Sequence, residues 1–135
     1  MPLEIRTSEA RRARLWIIWA NMLVSVAVYA GIGYFVATTD GSPAVLRTLV
    51  PAFGLVAVTE VFAIAVLRPL LAARMERTAF AIVRWAVAES IAILGLVLRL
   101  LGAPFSTAAI FMAAGALLLA VWRPTEADAR DAQDR

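Results

Sequence analysis

Three ionisable side chains interrupt long apolar runs in this sequence: Glu60, Arg84 and Glu89. A charge at the centre of hydrocarbon costs about 2.5–3.5 kcal/mol even on lenient insertion scales. Such residues therefore face partners, and they mark proton relays, ion sites or helix-pairing contacts. A carboxyl in apolar surroundings favours its neutral form unless a cation stands beside it. Glu89 is accordingly the candidate ion or proton site and Glu60 a second one, with Arg84 the cation at hand. Trp85 precedes Glu89 by four residues, on the same face of a helix, and its indole N–H is a donor for that carboxyl. Asn21 and Ser25 add two polar groups to another apolar run.

Much other chemistry is missing. The chain has neither cysteine nor histidine, which removes thiol catalysis, thiolate or imidazole metal sites and haem attachment. No serine, threonine or carboxylate has a basic partner arranged for nucleophilic catalysis. No enzyme activity, metal or cofactor is expected.

The elements that must position these residues are apolar helices. Hydrophobic residues make up 62% of the 135, and the mean hydropathy is +0.81; soluble domains hold about 45–50%. A helix needs about 20 apolar residues to cross a hydrocarbon core of ~30 Å, and four segments qualify: 15–36, 48–67, 78–98 and 105–122. The first follows Arg11, Arg12 and Arg14 and resembles a signal peptide only superficially. Its 22 charge-free residues exceed an h-region of about 7–15, and no small-residue cleavage site follows, so it is expected to be retained.

The links have turn chemistry. Ser42 and Pro43 suit an N-cap and first helical position, Gly102-Ala103-Pro104 makes a tight turn, and residues 68–77 form a basic link with a helix-weakening Pro69. Short links make neighbouring spans antiparallel. The expected fold class is all-α: an integral membrane four-helix bundle, up-down-up-down, spanning residues 1–124, with a polar cytoplasmic tail at 125–135.

All 13 basic residues are arginines. Ten of them flank the N-terminal tail, the middle link and the C-terminal tail, against Arg47 and Arg99 on the other side, with Arg84 inside a span. The positive-inside rule then places both termini in the cytoplasm. Arginines scattered at span ends do not make a nucleic-acid stripe, so no nucleic-acid partner is expected. Counting about 1.5 Å per residue from the cytoplasmic boundary puts Glu60 roughly 10 Å, Arg84 roughly 9 Å and Glu89 roughly 16 Å deep. Asn21 and Ser25 fall near the same two levels. These depths predict an ion pair between Glu60 and Arg84.

Smaller features have packing explanations. Pro51 frees the carbonyl of Arg47 and kinks its helix. Gly31, Gly33 and the pair Ala109 and Ala113 near Gly115 offer small-residue contact surfaces, while Met22 and Met112 fill the core. Residues 57–64 echo residues 86–93, as two related hairpins or shared apolar composition would produce. In the tail, Thr125 and Asp128 have capping-box spacing, and Glu126–Arg130 and Asp131–Arg135 are favourable i,i+4 pairs. A solvated tail fits that composition equally well.

Ala88-Glu89-Ser90-Ile91-Ala92-Ile93-Leu94-Gly95-Leu96-Val97 resembles the ion-binding helix of the c-subunit proteolipids of rotary ATP synthases. The resemblance covers about ten of the 135 residues and implies a proton- or ion-binding role for Glu89 alone. That family's glycine-repeat first helix has no counterpart here, and the four spans, Arg84 and the polar tail depart from its pattern. The segment is also similar to uncharacterised bacterial four-span proteins with a glutamate in the third helix, a likeness that implies no activity. Small multidrug exporters carry their membrane glutamate in the first helix, where this chain has only Asn21 and Ser25.

Two functions fit these observations. One is a structural or assembly subunit of a bacterial inner-membrane complex or homo-oligomer, with the lipid bilayer as its other partner. The alternative is an ion- or proton-coupled carrier or relay component that uses Glu89.

Overall fold

The apolar residues of the third helix recur every three to four positions, and that stripe organises the chain. In a computed structural model, residues 2–36 and 41–129 are described. Among them the secondary structure is entirely helical: α1 (Pro2–Phe35), α2 (Pro43–Arg74), α3 (Arg77–Leu100), α4 (Phe105–Val121) and the single turn α5 (Glu126–Ala129). The buried face of α3 is Phe80, Ala81, Trp85, Ala88, Ile91, Ala92, Gly95 and Leu98. The face of α4 that meets it is Ala108, Met112, Gly115 and Leu119.

Small residues bring these two backbones together. A Cβ added to Gly115 would lie 2.9 Å from the Cβ of Ala92, and one on Gly95 would lie 2.6 Å from the carbonyl oxygen of Ala108. Neither position has room for one. The small-residue face of α4 is one register step from the expected Ala109 and Ala113: Ala108 and Gly115 are buried, and Ala113 is exposed. α1 packs on both helices, and its Leu15 and Val26 join Trp85, Ala88, Ala92 and Leu119 in one core. α2 packs chiefly on α3, and Ile64 alone among its described side chains is fully buried.

The turn between α3 and α4 is a Schellman motif. Ala103 N–H donates to the Leu98 carbonyl at 2.9 Å and Gly102 N–H to that of Arg99 at 3.0 Å, with Gly102 at φ 89°. That dihedral favours glycine, and the apolar contact typical of the motif falls between Ala103 and Leu98, both wholly buried. Gly41 N–H reaches the Gly102 carbonyl at 3.3 Å, so the α1–α2 connection meets the α3–α4 turn at one end of the bundle.

The expected link at 68–77 is mostly helix. α2 continues through Pro51 and Pro69 to Arg74, leaving Met75 and Glu76 as the connection. One proline removes one backbone hydrogen bond, whereas Leu70, Leu71, Ala73 and Arg74 that follow are strong helix formers. The helix propensity prevails.

Three stretches are long and apolar enough to cross a membrane: Glu9–Phe35, Pro43–Leu71 and Arg77–Leu100. α4, at 17 residues, sits at the short limit of about 17–25. Large apolar side chains point outward along every long helix, among them Ile17, Val24, Leu55, Phe62, Ile110 and Leu117. Soluble monomers rarely expose contiguous apolar surface on that scale. These features suggest a membrane protein.

The close approach of α3 and α4 makes a direct prediction. Gly95→Ala and Gly115→Ala should each cost about 1–3 kcal/mol through overpacking, read as a lower thermal-aggregation midpoint in detergent. Gly54→Ala, which meets nothing within 4 Å, should be neutral or mildly stabilising. Equal midpoints for Gly115→Ala and Gly54→Ala would refute the contact.

Candidate functional site

Two carboxyls flank α3 near its middle. On one side the Tyr29 hydroxyl of α1 donates to Glu89 Oε1 at 3.1 Å, with Ser25 alongside Tyr29. On the other side the Ser90 hydroxyl lies 2.6 Å from Glu60 Oε2 of α2. Consecutive residues of α3 point about 100° apart, so Glu89 and Ser90 address different neighbours. The result is a polar belt across three helices: Tyr29, Glu89, Ser90 and Glu60. Among the described residues, no ion pair joins either carboxyl to a cation.

Ser90 also lies 2.9 Å from the Val87 carbonyl. A hydroxyl carries one proton and can donate to only one acceptor at a time. Ser90 therefore donates to Glu60 or to Val87, not to both at once.

Arg84 does not pair with Glu60. Its Nη2 contacts Asp128 Oδ1 of α5 at 3.1 Å, and its guanidinium stands 5.2 Å from the centre of the Phe80 ring. The reason lies in the longer α2. With the link reduced to Met75 and Glu76, Glu60 stands 15 residues before Met75 and Ser90 stands 15 after it. Glu60 is therefore level with Ser90 rather than Arg84.

Asp128 is held on several sides. Its Oδ2 accepts from the Thr125 N–H at 2.9 Å and from the Thr125 hydroxyl at 2.7 Å. Its backbone carbonyl accepts from the Thr78 hydroxyl at 3.0 Å. The Thr125–Asp128 spacing does form a capping arrangement, and it also docks α5 against α3. Arg12 meets Glu126 at 3.2 Å and Arg11 meets Glu76 at 3.9 Å, pairs of the exposed kind that contribute little. The pairs Glu126–Arg130 and Asp131–Arg135 include positions outside the described residues.

Other sequence-derived partners fall elsewhere. Trp85 is wholly buried, and its indole N–H donates to the Trp122 carbonyl, not to Glu89. Asn21 is exposed, and its backbone carbonyl, not its side chain, accepts from the Ser25 hydroxyl within α1 at 3.0 Å. Glu89, Ser25 and α1 thus come together through Tyr29, which composition did not single out. Its position four residues after Ser25, on one helix face, is the signal that points to it.

Arg99 was also missed. Its Nε donates to the Gly33 carbonyl at 2.9 Å, Nη2 to Val36 at 3.1 Å and Nη1 to Ala103 at 3.1 Å. A cation on the carbonyls that end a helix is favourable for both hydrogen bonding and dipole. A single arginine beside a glycine turn, on the arginine-poor side, is its signature in sequence.

Two apolar clefts lie between the helices. One of about 450 Å³ lies between α2, α3 and α4, lined by residues such as Val58, Phe62, Ile91 and Leu118. One of about 370 Å³ lies between α1 and α4, around Val26, Phe105 and Met112. Neither carboxyl lines them. Among the described residues, no group of three or more acidic, histidine or cysteine side chains is placed to hold a metal ion. Comparison with protein-family models, curated proteins and solved structures finds no match to this chain.

The Arg84–Asp128 contact, with side chains 16% and 12% exposed, predicts thermodynamic coupling. Arg84→Gln and Asp128→Asn should each destabilise, and the double variant should recover about 1 kcal/mol of the summed loss. That value lies between the ~0.6 kcal/mol typical of membrane-protein cycles and the roughly 3–5 kcal/mol lost on breaking fully buried pairs. Glu60→Gln combined with Arg84→Gln should be additive. Coupling in the second pair and none in the first would reverse the assignment.

Proposed function

We propose that the chain is a four-span inner-membrane protein that serves as an assembly subunit, forming a homo-oligomer or part of a larger membrane complex, without enzymatic activity. The observation that carries this reading is the use made of the intramembrane carboxyls. Glu60 and Glu89 each contact a hydroxyl on a neighbouring helix, and neither lines the two apolar clefts described above. Polar contacts of that kind fix helix pairing where hydrophobicity cannot discriminate one apolar helix from another. α2 supports the same reading: it rests chiefly on α3 and leaves Leu55, Val58 and Phe62 about two-thirds exposed. A helix so lightly held within its own bundle has surface to give to lipid and to other subunits.

The up-down-up-down topology with cytoplasmic termini draws support from the bundle ends. Arg99 and the Gly102 turn meet the end of α1, whereas Glu126 of α5 meets Arg12 and Asp128 meets Arg84. Among the described residues, Arg11, Arg12, Arg14, Arg68, Arg74, Arg77 and Arg123 belong to this second end, the cytoplasmic one by the positive-inside rule.

A proton-relay role for Glu89 is the second reading, favoured by the Tyr29–Glu89 contact, by the separate Ser90–Glu60 contact on the next residue of α3, and by the absence of a cation among their described partners. It agrees with what the proteolipid-like third helix implies.

Particle mass in mild detergent tests the first reading. A defined oligomer or heterocomplex is expected, and a monodisperse monomer would overturn it. Glu89→Gln separates the two readings. An assembly role predicts unchanged particle mass and a stability change within about 1 kcal/mol, since the amide still accepts from Tyr29. A relay role predicts loss of proton flux in vesicles containing a trapped pH dye. For topology, Ser42→Cys should react with an impermeant thiol reagent outside intact cells, and Glu76→Cys should not; the reverse labelling would sink the orientation. The cysteine-free background makes both variants clean.

A further inference from the structure

A small recess of about 120 Å³ opens where the end of α2 meets the start of α3, lined by Arg68, Arg77, Phe80, Arg84 and Asp128. Three arginines and one aspartate line it. Asp128 is occupied by Arg84 Nη2 and Thr125, and among the described residues no carboxylate lies within 4 Å of Arg68 or Arg77. Arg84 Nε is shut off from solvent with no hydrogen-bond partner. Buried donors rarely lack an acceptor, and an exception calls for a bound species or a specific role.

Like charges do not gather without compensation. Arg77 and Arg84 are seven residues apart, two turns along one face of α3, and Arg68 is close enough to act electrostatically on Arg84. Guanidiniums present forked N–H donors that match the oxygens of phosphate, and Arg clusters are the usual means of binding it. The volume admits a phosphate group with a water or two and is too small for a nucleotide. The recess lies at the arginine-rich end of the bundle, where a bilayer would place its headgroups, and basic pockets between helices at that level hold anionic lipid heads.

We propose that the recess formed by Arg68, Arg77 and Arg84 is a binding site for a phosphate group, carried by an anionic phospholipid or free in solution. Only the lipid source rests on the bilayer reading given above.

The test uses the full chain in mild detergent and isothermal titration calorimetry with three probes: dihexanoyl phosphatidate, dihexanoylglycerol and inorganic phosphate. One-to-one binding of phosphatidate is expected, weakened about tenfold by Arg68→Gln or Arg77→Gln and further by the double variant. Arg47→Gln, on an exposed residue at the other end of the bundle, should bind as the parent does. Inorganic phosphate that binds alone and displaces phosphatidate identifies free phosphate as sufficient. Phosphatidate that binds while inorganic phosphate and dihexanoylglycerol do not identifies the lipid. The proposal is overturned if dihexanoylglycerol binds as well as phosphatidate, if the double variant binds like the parent, or if Arg47→Gln loses as much. A chain that needs no detergent would defeat the bilayer reading, yet the inorganic phosphate titration would still decide the recess.

Discussion

The closeness of α3 to α4 is the constraint on which the remaining contacts depend. Gly95 and Gly115 admit the opposing backbone where any side chain would collide, and dispersion contacts fall off steeply with small gaps. With those helices fixed face to face, the rest of α3 is committed. Trp85 must end beside the last turn of α4, where it finds the Trp122 carbonyl. Glu89 turns towards α1 and Ser90 towards α2. A shift of α4 by one residue would remove the Trp85–Trp122 bond.

Side chains also do what loops do in other folds. The last four carbonyls of a helix lack intrahelical donors, and here specific residues reach across to serve them. Arg99 satisfies the end of α1, while Trp19 donates to Leu119 at 2.8 Å and Trp85 to Trp122 at the end of α4. Each donor comes from a different helix than its acceptor. These bonds therefore tie helices together as they complete them, and they are directional where apolar packing is not. α2 takes part in none of them, which matches its peripheral place.

Apolar run length made the helices legible in sequence, because a charge-free stretch of twenty residues has few alternatives. α1 begins at Pro2, thirteen residues before the expected span, whereas its end and the boundaries of α3 and α4 fell close to expectation. α2 did not, since Pro69 reads as punctuation while the leucines and alanines around it sustain a helix. That single misjudged link moved the α2–α3 connection and with it the level of Glu60, so an ion pair with Arg84 was expected where Ser90 stands. Asp128 was seen as a capping residue because its spacing from Thr125 is local. Its second task, meeting Arg84, depends on how α5 folds back, and no spacing rule encodes that. Tyr29 and Arg99 were hidden for a similar reason: each acts on another helix.

Asp128 follows Arg84 by 44 residues, and that order has a consequence for biosynthesis. A chain made from its amino end has α3 complete while the carboxylate that neutralises Arg84 is still to be synthesised. Arg84 must wait. During that interval its charge is held by water or by other polar groups, and the Arg84–Asp128 contact forms only after α5 has been made. A product lacking α5 would be left with Arg84 unmatched by Asp128.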